Sequence, residues 1–111
     1  MKDDLLYVQH IHEAIQRILD FTSAGEEAFR EDLKTQDAVV RNLQVIGEAA
    51  KKVSAETRAA HPEVPWKSMA GMRDRVVHDY FGVSLDMVWS VVEKHLPVLR
   101  GQLDALLQRK N

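Results

Sequence analysis

Apolar residues in this chain recur every three or four positions and nowhere alternate, which restricts it to packed helices. Over residues 5–19 the apolar positions are Leu5, Val8, Ile11, Ile15, Ile18 and Leu19, one stripe of an amphipathic helix. Residues 21–34 are polar. Thr22, Ser23 and Gly25 mark a break there, and Phe29 and Leu33 are expected to pin a short helical turn. A second helix is predicted to start at Thr35 as N-cap, with Asp37 in its first turn and Val39, Leu43, Ile46, Ala50 and Val53 along its inner face. Gly47 lies within it at some cost in helix propensity, and its missing side chain would let a neighbouring helix approach closely.

The dipeptides His61-Pro62 and Val64-Pro65 should end that helix and keep residues 54–65 outside it, since the residue before a proline disfavours helical backbone. Pro65 can open the next helix, which the pattern extends over residues 66–80. Gly82 should end it, and Ser84 should cap a fourth helix with Asp86 in its first turn. That helix repeats by sevens through Leu85, Val92, Leu99 and Leu106, with Val88, Leu96 and Leu103 between them. Pro97 inside the seam should kink or split it. The expected architecture is all-α: an antiparallel up-down bundle of four to five helices with a kinked last helix, forming one domain over residues 1–111.

The chain has no cysteine, so disulfide and thiolate chemistry are excluded, which suits a reducing cytoplasm. No apolar run nears the roughly 20 residues needed to span a bilayer. The opening Met1-Lys2-Asp3-Asp4 lacks the layout of a signal peptide, so a soluble cytoplasmic protein without membrane contact is expected. Charge is uneven. Residues 1–37 hold four basic and nine acidic residues, a balance of −5, so the remainder carries +3 of the chain's net −2. The basic part is compatible with a surface that faces phosphate, and equally with ordinary solvated helix faces.

Candidate chemistry concentrates in Arg73-Asp74-Arg75-Val76-Val77-His78-Asp79-Tyr80. Arginine can neutralise a phosphate and histidine can move protons near neutral pH. Tyrosine carries a hydroxyl that can accept a transferred group. On a continuous helix Arg73 and Tyr80 would share a stripe, while His78 would lie roughly 140° round from Arg73, on the stripe of Asp74, whose carboxylate could orient the imidazole. One helix does not aim Arg73 and His78 at a common point. A two-fold dimer through this helix would, giving one cleft two arginines and two histidines. Such a set suits RNA cleavage without metal: one group deprotonates the ribose 2′-hydroxyl, cations steady the phosphorane, and another group protonates the leaving 5′-oxygen. Arg-x4-His alone is a short pattern that helical chains also carry by chance, with His78 a satisfied interface histidine.

The surrounding sequence resembles the HEPN superfamily, specifically the HepT-like toxins of HEPN–MNT toxin–antitoxin pairs. Their Arg-x4-His-x-Tyr signature is matched by Arg73, His78 and Tyr80. The run from Ala38 through Gly47-Glu48-Ala49-Ala50 is similar to the family's second helix. Trp66 with Gly71-Met72-Arg73-Asp74 is similar to its third, and Val88-Trp89, Leu96-Pro97 and Leu99 to its fourth. The resemblance implies a homodimeric, metal-independent ribonuclease acting on cellular RNA, tRNA in some cases, without a cofactor. It implies that Arg73 and His78 are catalytic and Asp74 supporting. It also implies a cognate minimal nucleotidyltransferase antitoxin that silences the toxin by transferring AMP from ATP onto Tyr80. Glu48, after the helix glycine, is a second supporting candidate that would hold Arg73 or accept from another polar group, and Arg75 a candidate aid to phosphate binding. Two other readings compete. An HD-type metal phosphohydrolase would use His78-Asp79 with His61 and Asp104, although His61 sits in a proline-bounded loop and His10 and His12 face different ways. A non-catalytic dimeric adaptor would only bind and regulate the nucleotidyltransferase.

Overall fold

The computed structural model describes the backbone of residues 2–78 and 82–110, and their side chains except those of Lys2, Val77, His78, Arg109 and Lys110. Three long helical stretches build the body: α1 (Lys2–Phe21), α3 (Leu33–Lys52) and a C-terminal helix made of α7 (Leu85–Ser90), a π turn (Val91–His95) and α8 (Leu96–Lys110). Short helices fill the connections: α2 (Glu26–Glu31), α4 (Ala55–Ala60), α5 (Trp66–Ala70) and α6 (Met72–Val76). The fold is an all-α bundle with a kinked last helix, as the periodicity requires.

One continuous core joins the stripes. Val8, Ile11, Ile15 and Ile18 of α1 meet Val39, Leu43, Ile46 and Ala50 of α3 and Leu96, Leu99, Leu103 and Leu106 of α8, all buried. Polar pairs at the edges fix the directions. Asp4, near the start of α1, accepts from the backbone N–H and hydroxyl of Ser54 and from the Thr57 hydroxyl, just past the end of α3. His12 hydrogen-bonds Asp104, and Arg100 donates to Gln16. Partner numbers rise along α1 as they fall along α8, so α1 runs antiparallel to both of its long neighbours.

Local chemistry accounts for most boundaries. Thr22 donates its hydroxyl back to the Ile18 carbonyl, and Gly25 takes a φ of 101°, ending α1 where the polar break was expected. Phe29 anchors α2 and packs 5.5 Å from the ring of Trp89 on α7, whereas Leu33 is 68% exposed and pins nothing. Helix α3 starts three residues earlier than the pattern suggested. Its N-cap is Asp32, whose carboxylate accepts from the Lys34 N–H and the Thr35 hydroxyl, so Thr35 serves the cap instead of being it. The proline-bounded segment holds the short helix α4, capped by the Ser54 hydroxyl at the Thr57 N–H.

The C-terminal helix shows how a proline is absorbed. Pro97 cannot donate to the Glu93 carbonyl. The turn before it widens, and the Leu96 N–H reaches the Val91 carbonyl in a π-type bond. The extra residue brings both Val91 and Val92 into the core before the seam resumes at Leu96.

Residues 66–80 do not form the single helix expected. The chain turns at Gly71, starts α6, and leaves the helix after Val76. Val77–His78 (β1) then pair antiparallel with Gly82–Val83 (β2), Val77 opposite Val83 and His78 opposite Gly82. In a helix the Val76 carbonyl would accept from Tyr80; here it accepts the Ser84 N–H at 2.7 Å. Two β-branched valines in succession favour the extended form, and Gly82 supplies the φ of 79° that brings the strand back. Ser84 caps α7 at the Met87 N–H, as expected.

Candidate functional site

The site begins with the spacing of polar residues on α3. Gln44, Glu48 and Lys51 follow one another by four and three, so they stand in a row on the outer side of a helix whose inner side is core. Gly47 lies beside this row. A β-carbon there would sit 3.1 Å from the Ala70 carbonyl oxygen and 3.3 Å from that of Met69, so hydrogen at this position is what lets the end of α5 rest on α3. Trp66 and Met69 are buried and hold α5 in place, and the Trp66 indole N–H donates to the His61 carbonyl. Helix α6 buries Met72 and Val76, and this turns Arg73, Asp74 and Arg75 outward.

A cleft of about 320 Å³ results, lined by Gln44, Gly47, Glu48, Lys51, Ala70, Arg73 and Asp74. Residues far apart in sequence thus share one opening: Arg73 and Asp74 from one wall, Glu48 and Lys51 from the other. The Arg73 guanidinium donates to Asp74 at 3.3 Å, with the two side chains 48% and 74% exposed. A neighbouring contact of that exposure is weak and easily exchanged for a ligand. Glu48 accepts from Gln44 at 3.3 Å. Of the two contacts expected of it, this acceptance from another polar group is the one present; no ion pair joins it to Arg73, and it stands on the facing wall. Among the described residues the arginine, with five N–H donors, engages one carboxylate oxygen with one nitrogen.

His78 enters differently from the helical expectation. The break after Val76 removes the i,i+4 relation to Asp74, and Asp74 turns to Arg73 instead. The backbone of His78 is the last residue of β1, two residues past the end of α6. Its imidazole, and Asp79 and Tyr80, lie outside the described residues, and with them the expected shared stripe of Arg73 and Tyr80. Arg75 points away from the cleft, into a separate hollow with Lys94 and His95.

Of the two outlying ligands of the metal reading, Asp104 has a side-chain partner elsewhere and the His61 Nδ1 makes no hydrogen bond among the described residues. Asp104 pairs with His12 across α1 and α8. His61 is buried in its loop with Nδ1 3.6 Å from Glu63. Among the described residues no three His, Cys, Asp or Glu side chains gather as a metal site would require. Sequence reasoning overlooked Gln44 and Lys51, although their spacing from Glu48 on one helix was there to be read. It also overlooked Asp4, whose partners lie 50 and 53 positions away and leave no local signal.

Comparison with known proteins bears on this geometry. The family model described as Ribonuclease HepT-like matches residues 11–106, which include both walls of the cleft. A protein of Thermococcus cleftensis named "Probable ribonuclease HepT" is 44% identical over 101 residues, covering 90% of this chain and 92% of that protein. The "mRNA nuclease HepT" of Shewanella oneidensis is 28% identical over 120 residues, covering 86% of this chain and 90% of its own length. No solved structure matches significantly. With its helical bundle, and with an arginine cleft inside the matched region, the chain belongs to the HepT-like ribonuclease family.

Proposed function

We propose that this ribonuclease is the toxin of a HEPN–MNT toxin–antitoxin pair, an endoribonuclease that cuts RNA without metal through Arg73 and His78. The observation that carries the reading is the cleft that sets the exposed guanidinium of Arg73 opposite Glu48 and Lys51, four residues before the strand that ends in His78. In the reaction a base takes the proton of the ribose 2′-hydroxyl. The 2′-oxygen bonds to phosphorus, and the P–O5′ bond breaks as that oxygen is protonated. The products are a 2′,3′-cyclic phosphate and a 5′-hydroxyl. Arg73 stabilises the charge gathering on the phosphoryl oxygens, and His78 moves protons. Two such steps want two titratable groups, and a two-fold dimer of this chain supplies a second His78.

Control comes through Tyr80. A cognate minimal nucleotidyltransferase directs the tyrosine oxygen to the α-phosphorus of ATP, forming a phosphodiester and releasing pyrophosphate and a proton. The added adenylate brings negative charge and bulk to the entrance of a phosphate-binding site and repels the substrate backbone. Asp74 and Glu48 act in support, Asp74 by orienting the guanidinium and Glu48 by shaping the facing wall.

The test is cleavage of total RNA in EDTA by full-length protein shown by mass to carry no AMP. Arg73→Ala should slow cleavage by about 10²–10³-fold and His78→Ala by about 10²–10⁴-fold, with folding unchanged by circular dichroism. Wild-type protein that is folded, dimeric, free of AMP and still inert would overturn the catalytic reading in favour of the adaptor. Activity that requires a divalent ion would overturn the metal-free mechanism.

A further inference from the structure

We infer that the outer face of α3 is a groove for single-stranded RNA that leads into the Arg73 cleft. The inference rests on the ribonuclease reading and adds where the substrate lies. A second hollow of about 230 Å³ adjoins the cleft and shares its walls Gln44 and Glu48. Its remaining walls include Tyr7 and His10 of α1 and Arg41 and Lys52 of α3. The two hollows therefore adjoin at Gln44 and Glu48, side by side on the outer face of α3, and their linings together make the channel.

The charge of the channel is not what solvation demands. Any polar residue keeps the outer face of a helix in water, and residues 26–32 do so with four acids and one arginine. Along the channel Arg41, Lys51, Lys52 and Arg73 face two carboxylates, Glu48 and Asp74, a positive surplus in a chain of net charge −2. From Arg41 to Lys52 the helix rises about 16 Å, which spans roughly four or five nucleotides at stacked spacing. Binding sites for single strands are of this size, and they combine a cationic groove with aromatic faces. The aromatic element is Tyr7, where the Lys52 ammonium stands 5.8 Å from the ring centroid. A nucleotide replaces that contact on both sides: its base takes the ring, and its phosphate takes the ammonium. A duplex keeps its bases stacked inside and gains only the charge.

The experiment measures binding of a labelled single-stranded 10-mer RNA to full-length protein carrying His78→Ala, so that the probe stays intact, over a range of salt. Lys51→Gln with Lys52→Gln should weaken binding tenfold or more at low salt. It should also flatten the plot of log affinity against log salt by about 1.4, since each lost phosphate contact on a single strand contributes about 0.7. Tyr7→Leu, which keeps apolar bulk against the core, should weaken binding severalfold and leave the slope alone. Lys34→Gln removes one lysine charge at the other end of α3 and should change neither. If the lysine pair behaves like Lys34→Gln, the groove is refuted. If a duplex of equal length binds as tightly as the single strand, the preference for single strands is refuted. Failure of the wild type to cleave RNA would count against the ribonuclease reading and would leave the salt slope to decide the groove separately.

Discussion

Gly47 and Gly101 are both helical glycines, and the same substitution should move stability in opposite directions at the two. Alanine in place of glycine inside a helix gains about 0.8–1 kcal/mol from backbone entropy and propensity. At Gly101 on α8 nothing lies within 4 Å of an added β-carbon, so Gly101→Ala should realise that gain. At Gly47 the β-carbon would stand 3.1 Å and 3.3 Å from two carbonyl oxygens of α5. These are main-chain atoms of a helix anchored by Trp66 and Met69, so no flexible side chain can move aside. Overpacking of that kind costs about 1–3 kcal/mol. Net of the propensity gain, Gly47→Ala should destabilise by up to about 2 kcal/mol. The two variants should then differ by about 1–3 kcal/mol. Urea unfolding midpoints at one fixed protein concentration read this directly, because concentration enters the stability of any dimer. In a domain of this size 1 kcal/mol corresponds to about 4–8 °C in melting temperature. Equal stabilisation by both substitutions would refute the tight α3–α5 contact, and with it the argument that Gly47 sets the width of the cleft.

Burial tends to push the Asp4 carboxyl up, but hydrogen bonds from Ser54 and Thr57 outweigh it and hold the group below its usual 3.8. A carboxyl depressed in the folded state stabilises above its unfolded value, and that contribution is lost as pH falls through the folded one. Asp4→Asn should therefore cost about 1.5–3 kcal/mol at neutral pH, and the gap from wild type should hold down to about pH 5 and close below about pH 4, as read by denaturant unfolding across pH. Ser84→Ala removes the cap of α7 directly after the hairpin and should cost about 1 kcal/mol by the same unfolding measurement.

The sequence displayed the parts of this molecule that depend on neighbours along the chain. The stripes of α1, α3 and the C-terminal helix, the need of Gly47 for a close neighbour, the Ser84 cap and the disturbance at Pro97 all follow from spacing within a few residues. The start of α3 was misjudged because Asp32 and Thr35 are both good caps, and what separates them is a hydrogen bond between the two. Residues 66–80 misled for a similar reason. Their periodicity was helical enough, but the Val76 carbonyl finds its partner eight residues on, at Ser84, a pairing that periodicity does not register. The cleft was half legible: Glu48 and Arg73 were chosen from opposite ends of the motif region, and packing across Gly47 decided that they face one opening.

The antiparallel docking of α8 on α1 bears on how the chain reaches this fold. His12 and Asp104 are 92 positions apart, and Gln16 and Arg100 are 84 apart, so α1 leaves the ribosome well before α8 and waits for it. Helices α1 and α3 can join early, across a short connection. The stripe of Leu96, Leu99, Leu103 and Leu106 arrives last, and until then the early pair presents uncovered apolar surface. The core on which the arginine cleft is mounted is therefore complete only once α8 has docked.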